Sequence, residues 1–207
     1  MPRRTDSRDR MIRAAVELFR RRGYHGTAFS DVVRESGAPH GSIHFHFPGG
    51  KEELLREVVA VAGDEIEEMV ARAASRADDA VSFVRILAET VAHRLEVSGY
   101  EDGCAIATAV LEVAPRSEAL SHDFAEVFER WRTSLAAPLE RWGFAHERAV
   151  ADADIIMATL EGALMLSRAA RSLEPFRRAT QSLLELIGMD MAAAAAGPAR
   201  RGRVIAG

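Results

Sequence analysis

The sequence predicts an all-α fold, on three observations. Ala, Leu, Arg and Glu dominate the 207 residues, and all four are strong helix formers. Apolar residues recur at helical spacing along most of the chain, whereas alternating β-branched runs are nearly absent. Only 7 Pro and 15 Gly are present to interrupt the helical pattern. A hydrophobic content of 48% and a charged content of 28% fit a globular chain of one domain or two small ones, with a real core.

Composition also excludes some classes. Cys104 is the single cysteine, so neither an internal disulfide nor a cysteine zinc cluster can form. With no apolar signal segment after Met1, the expectation is a cytoplasmic protein. Uncharged, mainly apolar runs such as 103–111 are nine residues, and the fifteen-residue uncharged run 36–50 is broken by Gly, Pro and His. A membrane span needs about 20, so none is expected. The net charge of −4 is unevenly spread: residues 1–50 carry nine Arg against five acidic residues, whereas 51–188 are strongly acidic. A basic amino end on an acidic body hints at a polyanionic partner, although a solvated charged helix has the same composition.

The elements follow in order. "RDRMIRAAVELFRRRG" places Ile12, Ala15, Val16 and Phe19 on one helical face, with Asp6 or Ser7 to cap its start and Gly23 to end it. Arg13, Arg20, Arg21 and Arg22 fall on or near the exposed side. "GTAFSDVVRESG" predicts a two-turn helix with Thr27 as N-cap, Phe29, Val32 and Val33 inward, and Gly37 at its end. "APHGSIHFHF" predicts a second short helix over 39–46, with Pro39 at its first position and Ile43 and Phe47 inward. "PGG" breaks the chain, and a long helix runs from Lys51 to about residue 74. Further helices are predicted over 80–97, 104–113, 117–142 (kinked or broken at Pro138), 146–170 and 174–187. Residues 189–207, with an Ala run, Gly, Pro and three Arg, read as a disordered tail.

Two short helices joined by a Gly turn make a helix-turn-helix candidate, whose second helix would enter a DNA major groove. Its outward positions are Pro39, His40, Gly41, His44 and Phe45. Gly41 is small enough for the backbone to approach the groove, and the flat His44 and Phe45 suit the sugar-phosphate wall. Thr27 and Ala28, at the amino end of the preceding helix, would offer backbone N–H groups to a phosphate, and Lys51 a second phosphate contact.

"GTAFSDVVRESGAPHGSIHFHFPGGKEELL" resembles the DNA-binding domain of the TetR family. Gly26, Thr27, Gly37, Gly41, Ile43, His46, Phe47, Lys51 and Leu54 match its pattern in order. One departure is His44, where the family usually carries Tyr; a weaker or pH-sensitive phosphate contact is implied there. "FPGG" and "GCAIATAVLE" at 103–112 resemble the LmrA/YxaF-like branch. The resemblance implies a ligand-responsive transcriptional regulator, a repressor released from double-stranded operator DNA by a small, largely apolar effector. It implies a helix-turn-helix domain over 1–50, a ligand-binding and dimerisation domain over 51–188, and a homodimer through helices 147–170 and 174–187. "ADIIMATLEGALMLSRAA" is apolar nearly all round, as either an interface helix or the central helix of a monomer would be.

Pocket candidates are Phe83, Leu87, Cys104, Thr108, Leu111, Glu112, Phe128, Trp131, Met157 and Glu161; each is equally readable as ordinary core or, for the glutamates, as a helix or interface contact. His40 and His44 lie one helical turn apart, but no third metal ligand accompanies them, so no metal site is expected. No catalytic group and no cofactor are expected either.

Overall fold

The computed structural model describes residues 4–39 and 41–196. Every regular element among them is a helix: α1 (Arg4–Arg22), α2 (Phe29–Ser36), α3 (Ser42–His46), α4 (Gly50–Arg76), α5 (Ala80–Val97), α6 (Ala105–Val113), α7 (Glu118–Arg141), α8 (His146–Ala170) and α9 (Glu174–Ala196). A 3-10 turn, Ala114–Arg116, joins α6 to α7. No described helix is long and apolar enough to cross a membrane.

The predicted apolar stripes face inward. Ile12, Ala15, Val16 and Phe19 of α1 pack with Val32 and Val33 of α2, Ile43 of α3, Phe47, and Leu54, Leu55, Val58 and Val59 of α4. The same cluster continues into α6 through Ile106 and Ala109, and into α7 through Phe124 and Trp131. A second cluster joins the carboxyl half of α4 to α5, α7, α8 and α9, around Phe83, Leu87, Leu139, Ile156 and Ile187. The α8–α9 pair is also tied by charge: Arg148 reaches Asp152 on its own helix and Asp190 on α9, each at 2.5 Å. Asp152 is fully buried, which raises its carboxyl pKa, while Arg148 acts in the opposite direction.

Several boundaries differ from expectation. Helix α1 starts at Arg4, before the proposed caps. Helix α3 starts at Ser42 rather than at Pro39; Gly41 (φ +83°) precedes it, and the Ser42 N–H and hydroxyl both bond the Pro39 carbonyl, at 3.1 and 2.6 Å. Helix α7 runs unbroken through Pro138, which lies in its last turn. Helix α9 extends to Ala196, so residues 189–196 are helix, not tail; the rest of the expected tail lies outside the described residues. Cys104 stands at the N-cap of α6, its Sγ accepting the Ala107 N–H at 3.4 Å.

Candidate nucleic-acid interface and cavity

Helices α1, α2 and α3 place the reading head. Helix α2 ends at Gly37 in the left-handed conformation (φ +62°), which glycine adopts without the Cβ clash of other residues. Helix α3 begins after Gly41. Ile43 and Phe47 are buried beneath the motif, at 3% and 0% exposure, while Phe45 is 63% exposed. His44 is exposed, its ring edge-on to Phe29 of α2 at 5.5 Å. Pro39 and Gly41 are also exposed. Pro39, Gly41, His44 and Phe45 are thus each open to solvent. His40 lies outside the described residues. His46, half-buried, has its ring against Phe45 at 5.3 Å. Among the described residues no three His, Cys, Asp or Glu side chains are placed to hold a metal.

The expected cap of α2 is corrected. Thr27 is not the cap of α2: it is fully buried, its hydroxyl donates to the Gly23 carbonyl at 2.9 Å, and its N–H bonds Tyr24. Ala28 is the cap residue, and its N–H is taken by Asp31 Oδ2 at 3.1 Å. This backbone bond, followed by Arg34, holds the Asp31 carboxyl pKa below its ordinary value. Lys51 is half-buried, with its Nζ 4.3 Å from the centre of the Tyr24 ring. Burial lowers its pKa, and the negative charge of Glu112 acts the other way.

Behind the head lies a cavity of about 530 Å³, within the range of small-molecule sites. Helices α4, α5, α6, α7 and α8 supply its walls. Of the predicted lining residues, Leu87, Cys104, Leu111, Phe128, Trp131, Met157 and Glu161 face it. Leu111, 78% exposed, stands at its edge. Phe83, Thr108 and Glu112 do not line it, for identifiable reasons. Phe83 is core, packed on Trp142 at 5.6 Å. The Thr108 hydroxyl bonds the Cys104 carbonyl at 2.9 Å, and its methyl turns toward Gly23. Glu112 points at the head, accepting the backbone N–H of His25 at 2.7 Å. Gly23 (φ +73°) sits directly against Glu112 and Thr108, where a Cβ would collide with the Glu112 carboxylate. Its positive φ is the backbone conformation that favours glycine.

Sequence reasoning missed Arg20. Expected on the outer side of α1, it is 6% exposed, paired with Glu17 at 2.5 Å and with Glu65 of α4, and it reaches the cavity wall. Its carbonyl accepts the Gly103 N–H at 2.9 Å. No local signal marks it, because its partner Glu65 is 45 residues away. Glu161 and Cys104 meet in the wall. Burial raises the pKa of both, the Cys104 thiol far above its ordinary value, and the hydrogen bond between them partly offsets the rise at Glu161. Such a thiol is not a thiolate nucleophile.

Comparison with known proteins agrees with this layout. Residues 11–58 match the family described as bacterial regulatory proteins, tetR family. Residues 80–182 match the C-terminal domain of LmrA/YxaF-like transcriptional regulators. The chain is 34% identical over 167 residues to the HTH-type transcriptional regulator YxaF of Bacillus subtilis, covering 81% of this chain and 87% of that protein. It is 28% identical over 182 residues to LmrA of the same organism, covering 88% and 97%. A solved TetR-family regulator from Agrobacterium tumefaciens superposes with a TM-score of 0.75 at 26% identity, covering 88% of this chain and 98% of that one. These relatives are transcriptional regulators, not enzymes. The chain belongs to the TetR family of bacterial transcriptional regulators, in its LmrA/YxaF-like branch.

Proposed function

We propose that the protein is a cytoplasmic repressor that binds palindromic operator DNA as a homodimer and leaves it when a small, largely apolar effector fills the cavity. The observation that carries this reading is the position of α6. One side of it lines the cavity through Cys104, Val110 and Leu111; from the other, Glu112 holds the turn at His25 that leads into α2. A displacement of α6 by a ligand is thereby passed to the reading head, and α4, which also lines the cavity and carries Lys51, moves with it.

In the DNA-bound form, Pro39, His40, Gly41, His44 and Phe45 meet the major groove, and Lys51 leaves Tyr24 for a phosphate. Dimerisation uses α8 and α9, on their expected stretches 147–170 and 174–187. The outer face of α8 supports this: Ala158, Met165 and Leu166 are exposed, and a Cβ at Gly162 would meet nothing. A two-fold dimer reads half-sites about 34–36 Å apart, or a multiple of that. To loosen DNA binding a thousandfold, the effector must supply about 4 kcal/mol of coupling.

The test is fluorescence anisotropy with DNA from upstream of the protein's own gene, over a salt series, against random duplex. Tight, salt-dependent binding above the random control is expected. Lys51→Ala is expected to weaken binding to every duplex and to lower the salt slope by about one. Equal, weak binding of the native protein to both duplexes would remove the reading.

A further inference from the structure

The wall of the cavity is mainly apolar, built by side chains such as Ile66, Met69, Leu87, Leu135, Met157 and Leu164. Most charged groups that reach it are already paired. Arg20 is held by Glu17 and Glu65, Arg132 by Glu129 and Asp154, and Asp102 by Arg21. Arg94 is exposed to solvent. Glu161 differs from all of these. It projects from α8 into the wall, which Cys104 also lines, and among the described residues no arginine or lysine forms an ion pair with it. A carboxylate taken out of water without a counter-ion is costly, and a cation placed against it removes that cost.

Beside it the cavity offers aromatic surface. Phe128 and Trp131 meet edge to face at 5.4 Å, and Trp131 is fixed by its Nε1–H bond to the Gly63 carbonyl at 3.2 Å. Aromatic faces attract cations as well as apolar groups. Among the described lining residues Arg94 is the cation without an ion pair, and it is exposed to solvent; an anionic ligand in the cavity would also face Glu161.

We infer that the cavity takes a lipophilic amine, its ammonium group against the Glu161 carboxylate and its apolar body among the aliphatic and aromatic walls. This rests on the reading of the cavity as the effector site and narrows the effector's chemistry.

Three probes with the same naphthyl body separate the possibilities: 2-(1-naphthyl)ethylamine, 2-(1-naphthyl)ethanol and 1-naphthaleneacetic acid. Calorimetric titration into the full-length, DNA-free protein is expected to rank the amine about tenfold or more above the alcohol, with the acid weakest. Glu161→Gln keeps the shape and a hydrogen-bonding group for Cys104; it is expected to erase the amine's advantage and leave the alcohol unchanged. Alcohol or acid binding as tightly as the amine would overturn the cation inference while leaving the cavity as an effector site. An amine preference that survives in Glu161→Gln would overturn it too. Failure of all three probes to bind would overturn both the inference and the effector reading of the cavity, whatever the outcome of the DNA experiment. The ranking in the native protein decides the matter even if the variant does not fold.

Discussion

Thr27 illustrates how a residue can be read correctly as important and wrongly as to its task. A threonine before an apolar helical run is a strong N-cap signal. Here it is turned inward, and its hydroxyl closes a buried bond to the carbonyl of Gly23 four residues back. Thr27→Val keeps the shape and loses that bond, so we expect it to destabilise the fold by about 1–2 kcal/mol. Urea unfolding measures this; unchanged stability would mean that the bond contributes nothing. Other residues were legible because their signal is periodic: Ile43 and Phe47, one turn apart, both fall in the core. Glu112 was legible as a polar interruption of an apolar run but not as a clasp on His25, since its partner is 87 residues distant. Pairing across such a separation is set by the packing of helices, which no local pattern encodes.

At the level of elements, type was read more reliably than extent. The long helices α4, α5, α7 and α8 fall close to their predicted spans, because many turns of one apolar stripe reinforce each other. Helix α3, with only five residues, has too little pattern to fix its start. The end of α9 was misread for another reason. A run of alanines looks compositionally simple, yet alanine is the best helix former, and "MDMAAAAA" prolongs the helix. Capping also carries a testable pH dependence. Asp79 accepts the Ser82 N–H at 2.7 Å at the start of α5, and this bond lowers its carboxyl pKa. A carboxyl whose pKa is lower in the folded state adds stability above its unfolded value, and that contribution is lost as pH falls through the folded value. Asp79→Ala is therefore expected to cost about 1 kcal/mol near neutrality. Thermal unfolding should show the gap between variant and native protein closing on acidification; a constant gap would assign the loss to something other than the charge.

For the whole molecule, the proposed dimer makes the sharpest demand. A Cβ at Gly162 would meet nothing within one protomer, so Gly162→Arg is expected to leave the isolated fold intact. Between two α8 helices packed closely it is not. Sedimentation equilibrium is expected to show a dimer for the native protein and a monomer for Gly162→Arg, with loss of tight operator binding in parallel. A dimeric Gly162→Arg would place the interface elsewhere. The division expected near residue 50 came from the family pattern, and the packing of the chain bears on it in a way that pattern does not reveal.

The first apolar cluster runs from Phe19 and Phe47 through α4 to Phe124 and Trp131. Helix α1 contributes to that core and also, through Arg20, to the cavity wall. The amino-terminal helices thus share part of their interior with the helices that follow. A chimaera that grafts the amino-terminal helices of a relative onto the rest of this chain would have to match side-chain volumes across this joint.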